Sequence, residues 1–294
     1  MSRIHEALKK AEEQRLAAQT GLPGPIPGEE VAPSSMPPSF TAAFTFDMLL
    51  SRCAPGHWTP DPKTMLFFNS EEQVHGAEEF RTLRSRLYQI REKQPLKKLL
   101  VTSSLPKEGK SFVAANLAQV LGRQQGQRVL LMDGDLRAPR LHTVLGALAA
   151  PGLAEYLAGE ADEIGIVQRG PMENLFFVSS GRSMPNPAEL VSNGRLKFLL
   201  NRVEPLFDWI VIDTPPAVPV SDASLLAHFC DGVLMVVRSN ATPFDAARKA
   251  RQEFPETQLV GVVLNGIEAG SSPYTEYYYT AYGRPPDGKA KILR

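Results

Sequence analysis

The chain has 294 residues, 43% hydrophobic and 22% charged, and its 32 basic and 32 acidic residues cancel. A net charge of zero gives no overall pull toward nucleic acid or anionic lipid, so no nucleic-acid partner is expected. Two isolated cysteines, and no apolar run near the roughly 20 residues of a bilayer span, predict a reduced, soluble, cytoplasmic protein rather than a disulfide scaffold or a membrane helix.

The opening "MSRIHEALKKAEEQR" is charged throughout, unlike a signal peptide. It predicts a short helix within 1–20, capped by Ser2, with Ile4, Leu8 and Ala11 on one face and Glu6 one turn from Lys10. Such a helix is either solvated or a docking segment for another protein. "GLPGPIPGEEVAPSSMPPSF" and "APGHWTPDPK" predict a disordered, Pro-rich linker over 21–68. The insert "FTAAFTFDMLL" inside it is apolar enough to pack, on a surface the sequence does not identify. A helix is predicted over 71–93, with Phe80, Leu83, Leu87 and Ile90 as its buried stripe and Glu78, Arg81 and Arg84 in a row beside it.

From residue 96 short apolar runs alternate with helical stretches. The runs "LLVTSS", "VLLMD", "LFFVSS", "WIVID", "VLMVVR" and "LVGVVLN" are near-continuously apolar, as parallel strands covered on both faces are. With helices such as Pro187–Val203 and Thr242–Phe254 between them, they predict an α/β domain over 69–268: a doubly wound, mostly parallel sheet with helices on both faces. Its ligand belongs at the carboxyl ends of the strands.

The first strand runs into "SSLPKEGKSF", where Gly109-Lys110-Ser111 at a strand-to-helix turn is the core of a phosphate-binding loop. In such a loop the backbone from Pro106 to Phe112, Lys107, Glu108 and Gly109 included, wraps the phosphates. Lys110 reaches the terminal ones and the Ser111 hydroxyl holds Mg²⁺. Ser104 stands where this motif usually begins with glycine. Asp133 and Asp135 end the second strand in "VLLMDGDLR", and Asp213 ends a later one in "WIVIDTPP". An isolated Asp after a strand is usually a turn residue; three of them in a fold with a phosphate loop predict metal and proton chemistry. Asp213 supports Mg²⁺ as a Walker B acid; Asp133 is assigned to the metal and Asp135 to the base that accepts the proton of an attacking hydroxyl.

Together, "SLPKEGKS", "LLMDGDLR" and "WIVIDTPP" resemble the motifs of the bacterial tyrosine kinases of capsule and exopolysaccharide loci, as do "GLAEYLAGE" and "PNPAEL" over the intervening chain. The resemblance covers about residues 70–283. It implies a P-loop NTPase fold turned to protein-tyrosine phosphorylation with ATP and Mg²⁺. It also implies a homo-oligomeric ring with contacts through Glu78, Arg81 and Arg84, and an adenine contact at Asn265. Arg137 belongs to the same motif and either touches phosphate or pairs with a carboxylate. The predicted chain lacks a membrane span, so it resembles the stand-alone type, recruited to the inner face of the membrane by a separate transmembrane chain-length-control adaptor and paired with a cognate tyrosine phosphatase.

Five of the seven tyrosines, Tyr274, Tyr277, Tyr278, Tyr279 and Tyr282, gather in "SSPYTEYYYTAYGRPP", where no apolar periodicity would bury them. A disordered, Tyr-rich tail is predicted over 269–294, and the resemblance makes these tyrosines phosphoryl acceptors for neighbouring subunits. The alternative is a MinD/ParA-type switch ATPase that times its own assembly and phosphorylates nothing. That class places a signature lysine where this chain has Leu105. A third reading, a regulatory subunit that only binds nucleotide, is opposed by the intact Lys110, Ser111, Asp133, Asp135 and Asp213.

Overall fold

The computed structural model describes residues 44–53, 56–62, 64–68 and 76–267. Seven strands form one sheet in the order β3-β4-β2-β5-β1-β6-β7. They are β1 (Lys98–Ser103), β2 (Val129–Asp133), β3 (Val167–Arg169), β4 (Leu175–Val178), β5 (Trp209–Asp213), β6 (Gly232–Arg238) and β7 (Leu259–Asn265). All pairings are parallel except β3 with β4, so the short β3 is an antiparallel edge that the apolar runs did not reveal.

The β1, β2, β4, β5 and β6 runs are apolar on both faces because both faces are covered. One face carries Leu99, Val101, Leu131, Val211 and Val236 beneath α2 (Ala77–Arg91) and α3 (Lys110–Gly122). The short α4 (Leu141–Leu145) joins that face, while the other carries Leu100, Leu130, Met132, Ile210, Ile212 and Met235 beneath helices that include α5 (Leu153–Ala158). The last strand departs from this. β7 closes one side of the sheet with Val262 and Leu264 each more than half exposed, so its apolar run is covered on one face only.

Two expected helices differ in extent. Over the described residues the first begins at Ala77, after Gly76, whose φ of 95° favours glycine; Phe80 and Leu87 are buried, Leu83 and Ile90 half-buried. The stretch Pro187–Val203 is two helices, α6 (Pro187–Ser192) and α7 (Arg195–Val203), broken at Gly194, where φ is 81°.

The linker expected over 21–68 is corrected over its second half, which is built into the domain. A helix, α1 (Phe46–Arg52), is capped by the Thr45 hydroxyl, which accepts from the Met48 amide. It sets Phe46 edge-on against Phe176 and Phe207, with ring centroids 5.6 and 6.3 Å apart, and buries Leu49 completely. The described residues between 56 and 68 then lie along the opposite face as a strap. Trp58 meets Phe177 edge-on at 5.9 Å, and Met65 and Phe67 are buried. The strap's backbone is satisfied by two polar side chains of α3: Asn116 Oδ1 accepts from Leu66 N (2.8 Å) and Gln119 Oε1 from Phe67 N (3.2 Å). Prolines blocked helix and strand here but not packing, because side-chain partners replaced the backbone ladder. Leu49→Ala is expected to cost about 3 kcal/mol of stability, read as a lowered urea midpoint. A midpoint unchanged from wild type would show that α1 is dispensable to the core.

Candidate active site

β1 delivers the phosphate loop to the middle of the sheet, between β5 and β6, where the chain's direction of travel across the sheet reverses. Gly109 adopts φ 97°, which favours glycine, and the Asn265 side chain occupies the place a Cβ would take. The loop is braced from behind. Asn265 Nδ2 donates to the Glu108 carbonyl (2.9 Å) and Arg238 Nη1 to the Lys107 carbonyl (3.4 Å). The Glu108 carboxylate turns inward, accepting from Leu105 N (2.8 Å) and from the Thr242 hydroxyl, so its charge is buried in the loop rather than facing phosphate. Pro106 and Lys107 are exposed, and Phe112 rests edge-on against Phe80. No side chain caps the N-terminus of α3, so its first amides are open to an anion.

Asp133 and Asp213 are register partners at the ends of β2 and β5. Lys110 Nζ lies 2.9 Å from Asp135 and 3.9 Å from Asp213. Burial works against the lysine's charge, but the Asp213 and Asp135 carboxylates hold its pKa above the ordinary value. Asp133 is wholly buried, and its two oxygens accept the amides of Asp135 and Leu141, both at 3.1 Å. Desolvation, with Asp213 nearby, raises it to about 8. Asp213 is also wholly buried; no donor meets strict hydrogen-bond geometry at either oxygen, although the Ser111 hydroxyl and the Thr214 amide lie close enough to favour its charged form. Desolvation raises it to about 6 against the opposing pull of Lys110.

Both acids hold protons in the folded state that the unfolded chain, titrating near 3.8, has already released. Stability of the nucleotide-free protein is therefore expected to fall as pH rises from about 4 through 6 to 8. Urea midpoints at pH 5.5 and 8.5, with chelator present, measure this; a midpoint that rises with pH would contradict the charge distribution described.

The structure brings Lys110, Ser111, Asp133, Asp135 and Asp213 together. It places Asn265 against the loop backbone and Arg137 on a carboxylate, Asp222 (2.7 and 2.9 Å). Glu78 pairs with Arg81 on the exposed side of α2, while Arg84 donates to the Val120 carbonyl of α3 (3.1 Å). Tyr274, Tyr277, Tyr278, Tyr279 and Tyr282 lie outside the described residues, as does the predicted helix within 1–20. The other two tyrosines are packed: Tyr156 is buried, and the Tyr88 hydroxyl bonds Gln127 and Trp209. Asp222 and Thr242 escaped the sequence reading, since nothing in "SDASLL" or "SNATPF" marks a partner more than 80 residues away.

A magnesium nucleotide fits this constellation: the buried Asp213 carboxylate suits a hydrated cation, and the open amides of α3 suit phosphate. Among the described residues no three acid, His or Cys side chains form a metal cage.

No protein-family profile matches the chain. It is 35% identical over 212 residues to the tyrosine-protein kinase YwqD of Bacillus subtilis, covering 71% of this chain and 88% of that protein. It is 32% identical over 214 residues to the tyrosine-protein kinase Wzc of Salmonella typhimurium, but there spans only 30% of the relative's length. Among solved structures, the chimerical protein CapA2B2 superposes with a TM-score of 0.64 at 29% identity, covering 70% of this chain and 90% of that one. The kinase domain of the Escherichia coli tyrosine kinase ETK gives 0.62 at 30% identity, covering 67% and 77%. A MinD ATPase from Pyrococcus horikoshii, at 22% identity and a TM-score of 0.50, shares the fold alone. The identity to kinases along nearly the whole of YwqD, and the kinase-domain fold with its phosphate loop and three acids in place, show that the chain belongs to the bacterial tyrosine-protein kinase family.

Proposed function

We propose that the chain is an ATP- and Mg²⁺-dependent autokinase that phosphorylates its own C-terminal tyrosines between subunits and thereby regulates exopolysaccharide or capsule polymerisation and export. The observation that carries this is the buried Asp213 carboxylate facing Lys110 at the mouth of an uncapped phosphate loop, in a chain that shares the kinase-domain fold. Ser111, Asp133 and Asp213 would hold the metal, which would neutralise charge on the phosphates. Lys110 exchanges its contact with Asp135 for the terminal phosphate. Asp135 then accepts the phenolic proton as the tyrosine oxygen attacks phosphorus and ADP leaves.

Tyr274, Tyr277, Tyr278, Tyr279 and Tyr282 are the acceptors. Each phosphate adds about −1.5 to −2 charges, so a modified tail is repelled by the carboxylates of the site and a ring held through Glu78, Arg81 and Arg84 loosens. A separate transmembrane adaptor and a cognate phosphatase complete the cycle; among the described residues no helix is long and apolar enough to cross a membrane. The likeness to tyrosine-protein kinases supports the kinase activity.

The test mixes two chains, neither of which can phosphorylate its own tail. A tail-truncated chain ending at Ser272 retains the site, and full-length Lys110→Met retains the tyrosines. With ATP and Mg²⁺, phosphate is expected on Tyr274–Tyr282 of the second protein by mass spectrometry. ADP release without phosphotyrosine, in the mixture and in wild type, would favour the switch ATPase instead.

A further inference from the structure

The loop after β2 and the loop after β5 carry the acids of the site, and they are joined twice. The first join is at Gly134, whose amide donates to the Asp213 carbonyl at 2.8 Å, in a space where a Cβ would meet that carbonyl and Leu226. The second is Arg137. Its Nε donates to Asp222 Oδ2 at 2.7 Å and its Nη2 to Oδ1 at 2.9 Å, a two-pronged contact that fixes the plane of the guanidinium. Asp222 opens helix α8 (Asp222–Ala227) and is 2% exposed, so the contact ends on an immobile group of the β5 side.

Between these two joins sits Asp135. Its Oδ1 accepts the backbone amides of Arg137 (3.3 Å) and Ala138 (3.0 Å), and its Oδ2 meets Lys110 Nζ at 2.9 Å. The next side chain, Leu136, is buried in the core. Arg137 thus orients Asp135 through its own amide while its side chain is tied to Asp222. The one direction left to the Asp135 carboxylate is the one facing Lys110. Neither prong of the guanidinium is turned to the phosphate loop.

We infer that Arg137 and Asp222 form a clamp across the β2 and β5 loops that positions Asp135 opposite Lys110, with Arg137 a positioning residue and not a nucleotide ligand. The inference rests on the proposed reading of Asp135 as a participant in phosphoryl transfer. It predicts a defect in turnover rather than in nucleotide binding, because a displaced acid leaves the phosphate loop intact.

The two halves of the clamp differ in exposure. Arg137 is 41% exposed, so Asp222→Asn leaves a cation that water can solvate, whereas Arg137→Gln leaves a buried carboxylate without its partner. Full-length wild type, Arg137→Gln, Asp222→Asn, the double variant and Arg137→Lys are compared by ADP release from magnesium ATP, and ATP affinity is measured by calorimetry. ADP release reports transfer to tyrosine or to water, so it reads the clamp whichever acceptor is used. Each single variant is expected to lower kcat about tenfold while KM and Kd for ATP stay within about twofold. The double variant is expected to be no worse than the poorer single one, and Arg137→Lys to recover part of the loss, since a lysine keeps the charge without the fork.

Arg137→Gln that weakens ATP binding more than about tenfold, with Asp222→Asn binding normally, would make Arg137 a phosphate ligand and overturn the clamp. Wild-type kcat in Asp222→Asn would overturn it as well, and that variant decides alone if Arg137→Gln does not fold. A chain that forms no phosphotyrosine, yet loses ADP release in Asp222→Asn, would sink the tyrosine-kinase reading and leave the clamp standing.

Discussion

Replacing Lys110 by methionine is expected to abolish phosphotyrosine on the full-length chain, with phosphoryl transfer reduced on the order of 10³-fold. Lys110 is the cation that faces Asp135 and Asp213 at the mouth of the loop, and only 12% of its side chain is exposed. Methionine matches the length of the stem but removes the charge that both the acids and a triphosphate need. The site would then present acids to a polyanion. Because the change also removes a partner from buried carboxylates, stability is expected to fall, and Lys110→Arg serves as the charge-retaining control. The measurement is an anti-phosphotyrosine blot with mass spectrometry, beside a melting curve. A wild-type level of tail phosphate in the methionine variant would remove Lys110 from the chemistry.

Asp213→Asn separates function from stability in the opposite sense. The carboxylate is wholly buried, and burial opposes its charge more than Lys110 and the Ser111 hydroxyl favour it. Removing that charge relieves a strained group, so the melting temperature of the nucleotide-free variant is expected to match or exceed wild type. Phosphoryl transfer is expected to drop about 10²-fold and to require more Mg²⁺, because a neutral amide holds a hydrated cation poorly. ADP release across a Mg²⁺ titration, with calorimetry on the nucleotide-free protein, reads both. A variant that melts earlier and keeps its Mg²⁺ dependence would show Asp213 to be structural.

The sheet was legible in the sequence because burial on both faces forces an unbroken apolar run, and "VLLMD" and "WIVID" match β2 and β5 residue for residue. The phosphate loop and the three acids were legible for a related reason: each sits at a strand end, so finding the strand finds the residue. What escaped were side chains whose partners are remote in sequence. Asn116 and Gln119 carry no mark in the sequence of the strap they hold, yet both are wholly buried against it. "HWTPDPK" read as linker because proline excludes regular structure, and composition does not reveal that a tryptophan among prolines has a seat on Phe177. Arg137 was ambiguous for the same reason, since Asp222 lies 85 residues away.

The early segment that wraps the finished domain has a consequence for synthesis on the ribosome. Cys53, just past α1, bonds the Val167 carbonyl 114 residues later, and Arg52 pairs with Asp162. At translation rates of about 5–20 residues per second, its seat emerges on the order of ten seconds after it does. Through that interval Phe46, Leu49 and Trp58 are apolar groups outside the ribosome with nothing to cover them. The first-made helix is therefore expected to take its seat late, after the residues that cover it have been made.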